Sequence, residues 1–176
     1  MSLFSWWTSW KRTNANARSE PVPKKKRRRL PKRLVRAEAE SLLAQPDLST
    51  WRGLRDRCML DLMYRAGLRV SEIVALRPRD VEKTGAVHVW EGKGGVDRTS
   101  YFDPPRVVPM LERWLIGRAA LGADDDDPLF CREDCEHLTT RTVQYIVRRH
   151  KLAAGISSKC TPHVLRHTFA SELLEE

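Results

Sequence analysis

The stretch that decides the fold reads TPHVLRHTFASELL over residues 161–174. Thr161 is a suitable N-cap and Pro162 fits the first turn of a helix, so a helix is predicted to begin here. Apolar residues then recur every four positions and predict a buried stripe: Leu165, Phe169 and Leu173. The stretch therefore predicts an amphipathic helix with its apolar side on a core.

Polar residues gather on another face of the same helix. His163, Arg166 and His167 stand at positions i, i+3 and i+4, which places them side by side. An arginine can grip phosphate oxygens with paired N–H donors and stays charged at any working pH. A histidine near a helix N-terminus is biased toward its neutral form, which can accept a proton. This face is therefore a candidate phosphate site.

The rest of the chain combines helical segments with one pair of strands. Apolar residues at three- and four-residue steps predict five further helices, over residues 34–44, 51–66, 70–76, 107–121 and 140–154. Gly67 stands where a left-handed helix cap is expected. We therefore predict an α+β fold class that is mainly α with a small antiparallel β-sheet.

The predicted sheet is a single β-hairpin. Residues 87–91 alternate between its two faces, Gly92-Lys93-Gly94-Gly95 makes a turn, and residues 98–102 return as the second strand. Lys93 therefore lies at the hairpin tip, where its amine can reach a leaving oxygen and donate a proton. A lysine in a glycine turn is commonly just solvent-exposed, so Lys93 alone is weak evidence of function.

The positive charge of the chain is concentrated near its N-terminus. The formal net charge is +9, yet residues 1–36 hold 12 Lys/Arg and one acid, so residues 37–176 carry −2. The polar, proline-punctuated composition of residues 1–33 predicts a flexible basic arm. Its cationic run consists of Lys24, Lys25, Lys26, Arg27, Arg28 and Arg29. We expect this run to contact DNA phosphates; a solvated charge run and a nuclear import signal are the alternatives.

Composition excludes several classes of protein. With 41% hydrophobic and 31% charged residues, the chain is neither collagen-like nor fully disordered, and 176 residues suffice for one domain. No stretch approaches the roughly 20 apolar residues of a membrane span, and residues 1–10 lack a secretory pattern, so we expect a cytoplasmic protein without a membrane partner. The spacing of the four cysteines is too loose for a zinc site, and no metal or other cofactor is predicted.

Three motifs resemble the tyrosine recombinases, also called the phage integrase family. Residues 66–72 (AGLRVSE) are similar to the first arginine motif of that family, residues 92–94 (GKG) to its lysine hairpin, and residues 162–170 (PHVLRHTFA) to its H-x-x-R box. The motifs occur in the family's order, and the resemblance spans residues 34–176. It implies a mainly helical catalytic domain that acts on duplex DNA, possible partners being other recombinase subunits.

The resemblance implies a role for each motif residue. Arg69 and Arg166 would bind the scissile phosphate and stabilise its pentavalent transition state, and Lys93 would be the general acid for the 5′ oxygen. His163 would assist the nucleophile or hold the phosphate. Supporting roles fall to two residues: Glu72, which would orient the arginine motif, and His167. Taken singly, an arginine in the position of Arg69 can simply cap a helix, so the co-occurrence of the motifs carries the interpretation.

The chain also departs from the family pattern. The family's nucleophilic tyrosine follows the H-x-x-R helix, whereas this sequence reaches Glu176 without it, and the family's N-terminal DNA-clamping domain is missing. The tyrosines of this chain are predicted to pack within helices or a strand: Tyr64, Tyr101 and Tyr145. We therefore predict no nucleophile and an incomplete catalytic domain over residues 34–176, inactive alone. The apolar stripe Leu165, Phe169, Leu173 and Leu174 is expected to be partly exposed. The alternatives are a non-enzymatic DNA-binding or regulatory module and a decayed integrase fragment of a mobile element.

Overall fold

The computed structural model describes residues 33–90 and 97–175. Six α-helices lie within these ranges: α1 (Arg36–Leu43), α2 (Trp51–Arg65), α3 (Val70–Ala75), α4 (Pro104–Ala120), α5 (Thr140–Ala153) and α6 (Pro162–Glu172). A 3-10 turn spans Pro78–Asp80, and the strands β1 (Ala86–Val89) and β2 (Arg98–Tyr101) form a two-stranded antiparallel sheet. The predicted fold class, mainly α with a small antiparallel sheet, is confirmed.

Local capping chemistry sets several helix boundaries. Thr50, Thr139 and Thr161 each precede a helix and accept a hydrogen bond from a backbone N–H of its first turn. The predicted start of α6 at Pro162 is therefore correct. Helix α4 begins at Pro104, earlier than the predicted residue 107, because prolines are accommodated in a first turn whose N–H groups need no helical partner.

Helix α2 supplies the centre of the core. Five of its apolar side chains are fully buried: Cys58, Met59, Leu60, Leu62 and Met63. The helix packs against α1, α4 and α6. On α4, Trp114 is completely buried and its indole N–H donates to the Leu129 carbonyl at 2.9 Å, so the ring is both packed and hydrogen-bonded.

Two buried aspartates of α2 are paired with basic side chains. Asp56 contacts Arg149 and His150 of α5, at 2.5 and 3.1 Å, and also accepts hydrogen bonds from Arg55. Asp61 accepts hydrogen bonds from two arginines of its own helix: Arg57 and Arg65. Because an isolated buried carboxylate is strongly unfavourable, these partners make both aspartates compatible with the core and tie α5 to α2.

The sheet is a hairpin that lies against the connection between α2 and α3. Ala86 pairs with Tyr101 and Val89 with Arg98. Side chains alternate along a strand, so Arg98 and Ser100 share one face, and both are half-buried. The Ser100 hydroxyl donates to the Ala66 carbonyl at 2.6 Å. The hairpin is therefore anchored to the segment that carries the first arginine motif.

The apolar stripe of α6 is buried at its start and exposed at its end. Leu165 is fully buried and Phe169 is half-buried, whereas Leu173 and Leu174 are 61% and 87% exposed. The expectation of partial exposure is therefore wrong at Leu165, which is buried in the core, and confirmed at Phe169, Leu173 and Leu174. Helix α6 packs against α2, and Leu173 and Leu174 follow its last residue, Glu172.

Across residues 33–90 and 97–175, no helix combines the length and the apolar character that crossing a membrane requires. The same ranges contain no group of three or more His, Cys, Asp or Glu side chains placed to hold a metal ion. Cys58, Cys131 and Cys160 are buried, and burial raises the pKa of the Cys160 thiol to about 11.

Gly67 permits the close approach of α6 to the first arginine motif. It follows α2 with φ at +61°, the left-handed region that favours glycine. A Cβ at this position would lie 2.2 Å from ring carbon Cδ1 of Phe169. Both the backbone conformation and the contact with α6 therefore require glycine.

We expect Gly67→Ala to lower the free energy of unfolding by about 1–3 kcal/mol, because alanine is strained in the left-handed region and Phe169 would have to move. Gly117→Ala is the matched control, since a Cβ added at Gly117 of α4 meets nothing within 4 Å. That control should be neutral or slightly stabilising. Urea unfolding measures both effects, and an unchanged midpoint for Gly67→Ala would contradict the need for glycine.

Candidate active site

Arg69 is fixed at the start of α3 by a carboxylate one helical turn away. It occupies the N-cap position, and its backbone N–H donates to Glu72 Oε2 at 2.7 Å. Its guanidinium Nη1 donates to Oε1 of the same carboxylate at 2.6 Å. The Glu72 carboxylate thus caps the backbone N–H of Arg69, as in a capping box, and also orients the arginine side chain. The side chain of Glu72 is 6% exposed.

Arg166 reaches the same carboxylate from α6. Its Nη1 donates to the carbonyl oxygen of Gly67 and lies 4.0 Å from Glu72 Oε2. Arg166 is half-buried, as is Arg69, with 33% and 31% of the side chains exposed. The two motif arginines, almost 100 residues apart in the chain, therefore meet around Glu72.

A third arginine, Arg98, completes the cluster. Its Nη2 donates to Glu72 Oε2 at 2.6 Å from strand β2. Sequence reasoning missed Arg98 because its partner is 26 residues away and is set by the packing of the hairpin, which no local spacing encodes. The available signal was its place as the first residue of the second strand, next to the turn that carries Lys93.

The charges of this cluster do not balance. Burial alone raises the pKa of the Glu72 carboxyl, but hydrogen bonds from Arg69 and the charge of Arg98 outweigh it and hold that pKa below its ordinary value of 4.5. Burial lowers the pKa of the Arg166 guanidinium, and the neighbouring charges of Arg69 and Arg98 lower it further. Three guanidiniums thus surround one ionised carboxylate, and the surplus positive charge suits an anion.

The two histidines of the H-x-x-R motif lie on the same helix as Arg166. His163 is in the first turn of α6, and both His163 and His167 are exposed. Neither forms a hydrogen bond with another residue in the described part of the chain. The structure therefore leaves His163 accessible, whereas the supporting role of His167 stays a prediction.

Several predicted residues fall outside the described ranges. Lys93 lies in residues 91–96, between β1 and β2. The cationic run Lys24–Arg29 lies in residues 1–32. Their functions stay predictions.

The interpretation of the tyrosines as packing residues is correct at one position and wrong at two. Tyr64 is 3% exposed, and its hydroxyl donates to the Glu172 carboxylate at 2.8 Å. Tyr101 and Tyr145 are 67% and 63% exposed. Tyr101 lies on the outward face of β2, opposite the face shared by Arg98 and Ser100. Tyr145 lies on the outer side of α5, next to buried Ile146.

Sequence comparison relates most of the chain to one family. Residues 32–176 match the model of the "Phage integrase family". Tyrosine recombinase XerD of Ralstonia nicotianae is 44% identical over 149 residues, which cover 83% of this chain and 48% of that protein. Tyrosine recombinase XerC of Serratia marcescens is 36% identical over 175 residues, which cover 99% of this chain and 56% of that protein. The chain spans about half the length of the curated relatives it matches.

Solved structures show the same fold. XerA recombinase superposes with a TM-score of 0.72 at 32% identity, covering 83% of this chain and 52% of that one. XerH recombinase, solved with its difH substrate as a pre-cleavage complex, gives a TM-score of 0.73 at 27% identity, covering 84% and 44%. The lambda integrase catalytic core gives 0.61 at 21% identity, covering 81% and 83%, which is a likeness of fold. Because the family model matches residues 32–176, the chain belongs to the phage integrase family of tyrosine recombinases.

Proposed function

We propose that residues 34–176 are the phosphate-binding part of a catalytic domain for site-specific recombination of duplex DNA. The observation that carries the proposal is the meeting of Arg69 and Arg166 around Glu72, in a cluster with surplus positive charge. A phosphodiester is an anion with two nonbridging oxygens, and paired guanidinium donors match it in both charge and geometry. The XerH relative solved with its difH substrate supports DNA as the substrate class.

Each residue of the site then has a chemical role. Arg69 and Arg166 bind the scissile phosphate and stabilise the charge that develops as a tyrosine oxygen attacks phosphorus. Lys93 gives a proton to the departing 5′ oxygen, and His163 assists the attacking hydroxyl or holds the phosphate. Glu72 keeps the arginine pair oriented, with His167 as a further support. By analogy with other charge-stabilising donors, each arginine is worth about 10²–10³ in rate.

The attacking tyrosine is proposed to be none of Tyr64, Tyr101 and Tyr145, and a partner subunit that supplies one would complete the site. None of the three tyrosines of this chain follows the H-x-x-R helix. Tyr64 is a poor nucleophile because burial and its bond to Glu172 raise the pKa of its hydroxyl well above the ordinary value. The exposed side chains of Leu173 and Leu174 favour a second candidate function, a non-enzymatic module that occupies recombination sites or joins complete recombinases.

The chain alone should form no covalent adduct with DNA. Formation of a 3′-phosphotyrosyl bond needs a hydroxyl in line with the phosphate. A hydroxyl out of line raises the activation free energy by several kcal/mol, which slows the reaction by roughly 10³ or more. Mixed with a recombinase that keeps its tyrosine but has lost its arginines, the chain should restore cleavage of a suicide substrate. A denaturing gel for protein joined to labelled DNA measures both outcomes.

Matched variants separate catalysis from simple DNA binding. Arg166→Ala should abolish the restored cleavage, whereas Arg132→Ala, which removes an exposed arginine paired with Asp134, should leave it unchanged. No restored cleavage with the wild-type chain, together with retained duplex binding, would favour the non-enzymatic module. An adduct formed by the chain alone and abolished by Tyr64→Phe, Tyr101→Phe or Tyr145→Phe would refute the assignment of no nucleophile.

Duplex binding should depend steeply on salt through the arm formed by residues 1–33. If about five of its cations contact phosphates, log K should fall with log salt at a slope of about −4 to −5. Replacing Lys24–Arg29 by glutamine in the full chain should flatten the slope by about one for each phosphate that the arm no longer neutralises. Fluorescence titrations at several salt concentrations measure it, and an unchanged slope would exclude the arm as the main phosphate-binding segment.

Glu72 should stabilise the fold only while it is ionised. Because its pKa is lowered in the folded chain, its contribution is present above the ordinary value of 4.5 and is lost as the pH falls below it. We expect Glu72→Gln to reduce the free energy of unfolding by about 1–3 kcal/mol at neutral pH, with the gap to wild type closing in acid. Glu133→Gln, at an exposed carboxylate paired with the exposed Arg52, is the control and should change little. A gap independent of pH in urea unfolding would exclude this role.

A further inference from the structure

The acceptor sites of Glu72 Oε2 are already filled in the structure. This oxygen accepts the backbone N–H of Arg69 at 2.7 Å and Nη2 of Arg98 at 2.6 Å. An ionised carboxylate oxygen offers about two lone-pair directions, so these two donors saturate it. Arg166 Nη1 stays at 4.0 Å from the same oxygen.

Without Arg98, the cluster would be expected to rearrange. In the described part of the chain, the ion-pair partner of Arg166 is Glu72, at 4.0 Å, while Arg166 Nη1 donates to the Gly67 carbonyl. Charge-assisted bonds between guanidinium and carboxylate are short and strong, so an open site on Oε2 would draw Arg166 inward. Arg166 bound tightly to Glu72 would then have fewer donors to offer an incoming anion.

The hairpin holds Arg98 in the place that this argument needs. Ser100, on the same face of β2, donates to Ala66, so the strand is fixed against the segment that leads to Arg69. Arg98 Nε is buried without a hydrogen-bond partner among the described residues, a condition that costs free energy. The guanidinium is thus held on Glu72 through Nη2 despite that cost.

We propose that Arg98 is a positioning residue that fills Oε2 of Glu72 and thereby keeps the Arg166 guanidinium free to bind a phosphate. The identity of that phosphate as a DNA phosphodiester rests on the proposed function. Arg98 does not itself need to touch the substrate. It acts on Arg166 through Glu72, so the testable claim is that removal of Arg98 changes the position of Arg166.

Arg98→Met in the full chain tests the proposal, because methionine keeps an apolar stem and removes every donor. Arg57→Met is the matched control. Arg57 also donates to a buried carboxylate shared with a second arginine, and its side chain is 22% exposed against 29% for Arg98. Arg98→Leu, which also lacks any side-chain donor, is a second variant with the same expectation, should Arg98→Met fold poorly.

Two readouts separate positioning from a general loss of stability. In Arg98→Met, a crystal structure should show Arg166 within about 3.2 Å of Glu72 Oε2, and the NMR signal of its guanidinium Nε–H should shift. Arg57→Met should leave both as in wild type. Arg166 still bound to the Gly67 carbonyl, with an unchanged signal, in both Arg98→Met and Arg98→Leu would overturn the proposal.

Titration with inorganic phosphate, monitored through the NMR signal of Arg166, measures the effect of each variant on phosphate affinity. We expect about tenfold weaker binding in Arg98→Met, the loss of roughly one charge-assisted bond, and no change in Arg57→Met. Equal phosphate affinity in Arg98→Met and wild type would also overturn the proposal. If wild-type Arg166 responds to neither phosphate nor duplex DNA, the proposed function fails, whereas the Arg98→Met structure still decides whether Arg98 keeps Arg166 from Glu72.

Discussion

The site depends on one buried carboxylate placed among three guanidiniums. Glu72 receives Arg69 from its own helix and Arg98 from the hairpin, with Arg166 of α6 at the edge of its reach. Three cations this close would repel one another if no negative charge lay between them, and burial strengthens that repulsion. The carboxylate therefore makes the cluster possible, while the remaining charge keeps it receptive to an anion.

Much of the surrounding fold brings these elements to Glu72. Gly67 lets the ring of Phe169 approach the backbone and so admits α6 to the arginine segment. Ser100 fastens the hairpin to Ala66, the residue before that glycine. Ala66 and Gly67 directly follow α2, whose buried apolar side chains form the centre of the core, so both contacts are tied to that core.

Local sequence patterns predicted the helices and strands but not all of the contacts between them. The helix of residues 162–172 was predictable from its threonine cap, its proline and a four-residue apolar step, all of which act within one helical turn. The pairing of Arg98 with Glu72 depends on the packing of a hairpin against a helix start, so it had no local signature. The outward positions of Tyr101 and Tyr145 were misjudged for a similar reason: a short strand or amphipathic helix buries one face only, and which face is a tertiary property.

The register of the two-stranded sheet has a consequence for how this domain can vary. A slip of one residue in the pairing of β1 with β2 would turn Arg98 and Ser100 toward solvent and bring Thr99 and Tyr101 inward. The site would lose one unit of positive charge, and the hairpin would lose its anchor on Ala66, without any change in composition. Insertions and deletions within these two four-residue strands should therefore be poorly tolerated. The backbone hydrogen bonds between β1 and β2 thus determine whether Arg98 contributes its positive charge to the site.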